Sequence, residues 1–371
     1  MGSANLPHRP KGFSLIELMI ALALGLIIIL GVTDLFIDSS RTQGDVSRTS
    51  RQLENSLFAL DLLAGELALV GYWGEADYPV VADDPNFGPL RATEMAGETV
   101  AGYASPPLLC AGSGKEGRNP RVELGWAMEY PLVAGVGVDL ELVMASPACD
   151  NGISSPKDTE EFVVIRRAST CAADDTGGAD CAAVGDFFHL QVNGCYDLNA
   201  GLSGGETKLH RVTSANAADL LNYRGFNCGS AASDKAPIYR YVARIYYVNH
   251  RDQLVRLELG ESNSYIETVL VEGVEALRFE WLIDRSLDGD YDVVRSVADT
   301  GWSDTERASD WQNVVGVNMT MVVRSSTPLT GYQDTNVYDL PGQSWVNEHD
   351  QYPRILRSRT VELINVAGRR R

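Results

Sequence analysis

The sequence predicts an α+β protein. A long N-terminal helix, membrane-spanning in its first half, would pack on an antiparallel β-sheet, and a large irregular disulfide-containing region would be inserted between them. Three observations predict this. An uninterrupted apolar run from Phe13 to Thr33 leads through a polar stretch into an amphipathic segment ending near Val70. Residues 71–235 hold all six cysteines among scattered Gly and Pro. Beyond Ala236 the hydrophobic pattern alternates with period two. The resulting divisions are a polar leader (1–12), a helix (13–70, of which 13–33 is transmembrane), a variable Cys/Gly-containing region (71–235) and an antiparallel β region (236–371).

Composition narrows the function. The 371 residues are 44% hydrophobic and 22% charged, enough for a sizeable core and too apolar for a disordered chain. Lys and Arg number 31 against 50 Asp and Glu, a net charge of −19. That balance repels phosphate backbones, and the basic groups at the two ends (Arg9 and Lys11; Arg369, Arg370 and Arg371) are too few to reverse it. The chain is not expected to bind nucleic acid.

From Phe13 to Thr33 the chain carries one charge, Glu17, and no proline. A helix of this length crosses a hydrocarbon layer of about 30 Å. A secretory signal peptide would place small residues at its cleavage site after the apolar run, whereas here Thr33-Asp34-Leu35-Phe36 follows and the small residue Gly12 precedes it. The basic leader predicts its own side as cytoplasmic, with the bulk of the chain outside. On hydropathy alone, an uncleaved signal anchor would also fit. Glu17 is the odd residue, because an acid near the centre of a membrane helix costs roughly 2.5–3.5 kcal/mol. A new amine at Phe13, made by cutting after Gly12, could pair with Glu17 of a neighbouring copy or partner.

Lys11-Gly12-Phe13-Ser14-Leu15-Ile16-Glu17-Leu18 resembles the type IV prepilin cleavage motif: glycine, then an aromatic residue, then glutamate as the fifth mature residue, directly before a long apolar run. The resemblance implies that prepilin peptidase cuts after Gly12 and N-methylates Phe13. It also implies that Glu17 pairs with the terminal amine of an adjacent subunit and sets the register. The fold it implies is pilin-like. Cutting would remove Arg9 and Lys11 and take the net charge further from zero.

Residues 38–52 hold Gly44 and only Val46 as a sizeable apolar residue, so they predict a solvated helix or a stretch that opens. Leu53, Leu57, Leu60, Ala64 and Leu67 then recur at helical spacing and predict one buried stripe. Helical throughout, Phe13 to Leu69 would be about 85 Å long.

In the variable region, Cys110, Cys149, Cys171, Cys181, Cys195 and Cys228 have no CxxC spacing, and only five His are present. A zinc site is therefore poorly supported, and an even count facing an oxidising compartment reads as disulfides. The pairing stays open; Cys171 with Cys181 is the first choice by proximity.

In the β region, Tyr239, Tyr241, Ala243, Ile245 and Tyr247 alternate with Arg240, Val242, Arg244, Tyr246 and Val248. Asn249 to Asp252 then turn into Val255, Leu257 and Leu259, a hairpin with a four-residue loop. Further strands carry Leu277, Phe279, Trp281 and Ile283, then Val317, Met319, Met321 and Val323, and a last one runs near Arg354 to Ile364. One polar face is expected for each, with the long helix lying on the other.

Val271 to Asp284 resembles the segment that marks the PilW family of minor pilins. So do Trp311-Gln312-Asn313-Val314-Val315 with the strand that ends Val323-Arg324-Ser325, and the closing strand before Asn365. The last departs from the family pattern, which has arginine where Ile364 stands. The resemblance implies a subunit kept in the inner membrane with its head in the periplasm, then built into a pilus tip or priming complex at the cell surface. Its partners would be other minor pilins, the major pilin and prepilin peptidase, with lipid around its apolar helix. Its work would be assembly, serving twitching motility and adhesion, rather than catalysis. Two other assembly readings remain: a J-type minor pseudopilin of type II secretion, and a tip adhesin binding through 71–235.

Other motifs are weaker. Gly201-Leu202-Ser203-Gly204-Gly205 fits a hydrolase elbow but lacks the strand-then-helix flanks, so a membrane-anchored hydrolase is disfavoured. Gly112-Ser113-Gly114-Lys115 lacks the first glycine of a phosphate loop, with Leu109 in its place. Asp284, Asp288, Asp290 and Asp292 around Gly289 form either an acidic turn or a calcium loop, the latter without EF-hand spacing. No other cofactor is expected.

Overall fold

In the computed structural model of the chain, the apolar run, the polar stretch and the amphipathic segment form one helix, α1 (Leu15–Ala68). The structure describes residues 12, 14–74, 80–81, 130–138, 140, 154–173, 187–195, 206–212, 224–225, 227–229, 234–260, 265–299, 301–346 and 349–367. Two compact units divide the chain, Met1–Arg51 and Gln52–Arg371, with the division inside α1.

In the first unit α1 exposes its apolar side chains from Leu15 to Ile37. An 18-residue window of the helix reaches a mean hydropathy of 2.8, long and apolar enough to cross a membrane. The polar stretch after it is helical. The Thr33 and Thr42 hydroxyls donate to the carbonyls of Ile29 and Asp38 one turn back, at 2.7 and 2.9 Å, and Arg48 pairs with Asp45 at 3.1 Å.

Among its described residues the second unit holds three sheets. The first contains β1 (Val80–Val81), β2 (Leu132–Val136), β3 (Glu161–Ala172), β4 (Phe187–Val192), β5 (Glu206–Val212), β6 (Ile238–Val248), β7 (Gln253–Leu259) and β8 (Tyr265–Glu272). Its order is β1-β5-β4-β6-β3-β2, and β7 pairs both β6 and β8. All of its pairings are antiparallel except the two-residue parallel one between β1 and β5. Five strands from 71–235 thus share a sheet with C-terminal strands. The second sheet, in the order β10-β9-β11-β14, joins β9 (Val274–Ile283), β10 (Val293–Ser296), β11 (Val314–Arg324) and β14 (Arg354–Glu362). β12 (Val337–Leu340) and β13 (Gln343–Val346) form a hairpin, and the unit also holds the helices α2 (Asp304–Gln312) and α3 (Ile364–Ala367).

Ala59, Leu60, Leu63, Ala64 and Leu67 of α1 form one core with Leu277, Phe279, Trp281 and Ile283 of β9 and Val317, Met319, Met321 and Val323 of β11. The expected apolar faces of β9 and β11 are both present. The phase of the helix stripe differs from the expectation. Leu57 is 54% exposed and Leu53 half-buried, while Gln52 and Ser56 are buried in line with Ala59 and Leu63. Two main-chain carbonyls make this tolerable: Gln52 Nε2 donates to Val323 O at 2.6 Å and to Pro353 O at 3.0 Å.

The expected polar face of β6 is also absent. Tyr246 and Val248 join the helix-side core, and Tyr241, Ala243, Ile245 and Tyr247 join a second core with Trp73, Phe162, Val164 and Leu190. Strands buried on both faces lose strict alternation, and Arg244 is accommodated there by ion pairs with Glu66 at 2.5 Å and Glu258 at 3.0 Å. The β6–β7 turn is the expected one. Asn249 Oδ1 accepts from the N–H groups of Arg251 and Gln253 at 3.0 and 3.1 Å, closing the loop on itself.

β8 and β9 form one run of chain that leaves the first sheet and enters the second at Gly273. Its φ of +82° suits glycine, and a Cβ there would stand 2.7 Å from the Arg324 carbonyl oxygen. Glu160 and Glu161, at the start of β3, reach across to the main chain of β9. Glu160 accepts from Leu277 N–H at 2.9 Å and pairs with Arg278 at 2.5 Å; Glu161 accepts from Phe279 N–H at 2.9 Å.

Glu161 is fully buried. Burial pushes its carboxyl up from 4.5 to about 8, against the opposing pull of Arg278 and the Phe279 N–H. A folded-state pKa above the unfolded one gives a contribution that is complete below about pH 4.5 and lost as pH rises through about 8. Glu161→Gln should therefore match the wild type near pH 4 and exceed it by about 5 kcal/mol near pH 9, at about 1.4 kcal/mol per pKa unit between 4.5 and about 8. Urea unfolding of the detergent-solubilised chain at both pH values checks this, and a difference independent of pH would contradict it.

Candidate processing and assembly sites

The N-terminal site is built around the start of α1. Ser14 is the capping residue: its carbonyl accepts from Leu18 N–H at 3.1 Å, and its own N–H donates to Glu17 Oε2 at 2.9 Å. Ser14-Leu15-Ile16-Glu17 has the spacing of a capping box, in which the third helical residue reaches back to the cap. Glu17 thus satisfies one main-chain donor and lies in the first turn, where the helix dipole favours an acid. Gly12 is exposed, and a Cβ on it would meet nothing within 4 Å. Phe13, the expected methylation site, lies outside the described residues.

Four contacts fasten the outer part of α1 to the sheets of its unit. At Gln52 the side chain bridges the Val323 and Pro353 carbonyls. Asp61 pairs with Arg359 of β14. Glu66 pairs with Arg244, and Arg167 lies 3.7 Å away. Asn365 Nδ2 donates to the Ala68 carbonyl at 3.2 Å, satisfying one of the carbonyls that a helix leaves open at its C-terminus. Sequence reasoning missed both Gln52 and Asn365. The signal for Gln52 was available, since it lies in phase with Ala59 and Leu63.

Aromatic side chains fill the core beneath β9. Trp281 stacks on Phe279 at 5.2 Å between centroids and meets the edge of Trp311 at 5.1 Å, and Trp311 in turn lies 5.1 Å from Trp302. Trp302 Nε1 donates to Asp310 Oδ2 at 2.7 Å, and Arg285 grips the same carboxylate through Nε and Nη2 at 2.9 and 2.7 Å. α2, which carries Trp311 and Asp310, begins with a complete capping box between Ser303 and Glu306.

The acidic loop is held by its own main chain. Asp284, fully buried, accepts from the N–H groups of Leu287 at 2.6 Å and Gly289 at 3.0 Å. Burial pushes its carboxyl up, but the Gly289, Leu287 and Asp288 N–H groups outweigh that and hold it below its ordinary value. Asp292 Oδ2 accepts from the N–H groups of Arg285 and Ser286, and Asp288 Oδ1 from that of Asp290. Among the described residues no three His, Cys, Asp or Glu side chains are grouped to hold a metal ion, these four aspartates included.

Cys195 and Cys228 form a disulfide, with Cα atoms 4.9 Å apart. Cys171 is also disulfide-bonded. Its partner lies outside the described residues, as do Cys110, Cys149 and Cys181, and with them the expected Cys171–Cys181 pairing. The Ser203 and Gly112-to-Lys115 motifs and the terminal Arg369 to Arg371 lie outside them too.

Residues 241–365, which run from β6 into α3, match the family model for type IV pilus-assembly protein W. Residues 7–33 match the prokaryotic N-terminal methylation motif. No curated protein and no solved structure matches the chain. The two matched segments hold Gly12, Glu17, the aromatic core and Asn365.

Proposed function

We propose that this PilW-type minor pilin, which carries a prokaryotic N-terminal methylation motif, is cut by prepilin peptidase after Gly12 and N-methylated on Phe13. The apolar part of α1 keeps it in the inner membrane with its second unit in the periplasm. It is then built into a type IV pilus, at the tip or in the complex that primes the filament, beside other minor pilins and the major pilin, and so serves twitching motility and adhesion. The observation that carries this reading is the position of Glu17. It is the one charge in the apolar run, five residues from the proposed cut, on a helix whose side chains from Leu15 to Ile37 are exposed. Such a surface is stable in lipid, or against the same surface of neighbouring pilins. The families matched are structural pilus components, and the work is assembly rather than catalysis.

In the unassembled chain the Ser14 N–H partly satisfies Glu17. Pairing with a neighbour's terminal amine would then replace one hydrogen bond by a charged contact in a low-dielectric core, where an unpaired acid is strongly unfavourable. Glu17→Gln separates the two roles, because the amide oxygen can still accept from Ser14 while the charge is gone. It should leave α1 and membrane insertion unchanged and reduce incorporation into filaments at least tenfold.

The direct test is the N-terminal peptide of the protein from its host's membranes, by mass spectrometry. An N-methyl-Phe13 terminus is expected, and an intact Met1 leader beside an active prepilin peptidase would overturn the reading. Deletion should abolish surface pili and twitching. Loss of exoprotein secretion with pili retained would place the chain in a type II secretion machine instead.

A further inference from the structure

The second sheet ends on β14, whose outer edge pairs with no strand among the described residues. Leu363 N–H donates to the Val315 carbonyl at 2.8 Å and Ser325 N–H to the Pro353 carbonyl at 2.9 Å. With the register of β11 and β14, these bonds make Ile355, Arg357, Arg359 and Val361 the residues that exchange main-chain hydrogen bonds with β11. Leu356, Ser358, Thr360 and Glu362 then turn their N–H and C=O groups outward, and among the described residues those groups have no partner.

Exposed edges are usually blunted by a proline, a bulge or a covering element. β14 has no proline inside it, pairs with β11 without a register shift, and is exposed from Leu356 to Thr360. Its odd-numbered side chains lie on the α1 side, as the Arg359–Asp61 pair shows. Arg357 shares that face and has no ion pair among the described residues. Leu57 stands one turn before Asp61 on the same flank of α1 and is 54% exposed, with half-buried Leu53 a turn further back. An open strand edge, an unpaired arginine and an apolar helix flank therefore lie side by side, in a chain whose net charge is −19.

We propose that the edge of β14 takes an extended strand from a neighbouring subunit of the assembly, one whose α1-side face carries both acidic and apolar residues. The incoming main chain bonds to Leu356, Ser358, Thr360 and Glu362, an apolar side chain covers Leu57, and a carboxylate meets Arg357. The two arginines reject a basic strand, and the main-chain bonds supply affinity whatever the side chains. This proposal rests on the assembly reading above.

The test uses the full-length chain in its host, with a photo-crosslinking phenylalanine analogue in place of Thr360, and a control analogue in place of exposed Val337. The Thr360 position should give a product with another pilus subunit, mapped by mass spectrometry to an extended segment bearing Asp or Glu, and the Val337 position should not. Arg357→Glu should cut that yield at least tenfold. So should Ser358→Pro, which removes one outward N–H and no bond to β11. The methylated Phe13 peptide is measured in every variant. Normal processing with no Thr360 product overturns the proposal and leaves the assembly reading standing, and so does a product of two copies of this chain, or one mapped to a helical or neutral segment. Absent processing overturns both.

Discussion

Arg354→Met is expected to destabilise the second unit by about 3–5 kcal/mol, the usual cost of removing one member of a buried ion network. The Arg354 side chain is 3% exposed and serves three carboxylates. It reaches Glu275 through Nε at 2.5 Å and Nη2 at 3.0 Å, Asp350 at 2.6 and 2.9 Å, and Asp334 at 3.3 Å. Methionine fills much of the volume, so the loss is electrostatic: Glu275 and fully buried Asp334 lose the fork that satisfies them. Arg354→Lys should recover only part, since a single ammonium cannot present that fork. A pH dependence follows as well. Hydrogen bonds from Arg354 hold the Asp350 carboxyl down to about 2. A depressed folded pKa gives stability that is present above the ordinary 3.8 and lost as pH falls through about 2. The gap between wild type and variant in urea unfolding should narrow below pH 4, and a gap that widened there would show that the network is not the cause.

Trp281→Ala should cost a similar 3–5 kcal/mol, the range for truncating a buried aromatic residue. Trp281 is fully buried between Phe279 and Trp311, opposite the apolar face of α1. Its Nε1 has no hydrogen-bond partner among the described residues, so the loss is one of packing alone. Trp281→Phe should therefore cost much less, about 1–2 kcal/mol, because the smaller ring removes volume and no hydrogen bond. A phenylalanine variant as unstable as the alanine one would mean that the indole N–H matters. Circular dichroism melts of both variants decide between these.

The parts of this architecture that were legible in the sequence are those where pattern and environment agree. The apolar run with Glu17, the β6–β7 turn and the faces of β9 and β11 read correctly, because one face of each strand is apolar and its turn residues are diagnostic. Other features were hidden by pairing. Gln52 and Ser56 look like solvent-facing residues, yet main-chain carbonyls let them occupy the buried side, which rotates the stripe and leaves Leu57 outside. Arg166, Arg167, Arg244, Glu160 and Glu161 are equally misleading, since each is buried with hydrogen bonds or ion pairs from distant segments. Spacing along the chain does not encode such long-range partners. The disulfide illustrates the same limit: Cys195 and Cys228 are 33 residues apart, and nothing in the spacing of the cysteines singles out that pair. In the acidic loop the carboxylate pattern was visible, but not that its oxygens would be taken up by the loop's own N–H groups.

The fastening of α1 has a mechanical consequence. From Gln52 to Ala68 the helix runs beside β14, held in turn by Gln52, Asp61, Glu66 and the Asn365 side chain. A load applied along the helix axis at Gln52 pulls on these attachments, and on the leucines beneath them, in shear. They share the tension instead of peeling apart one at a time. A subunit pulled by its helix while its outer surface is anchored would resist through the whole contact at once, and its lifetime under force would be set by the slow rate of that concerted rupture.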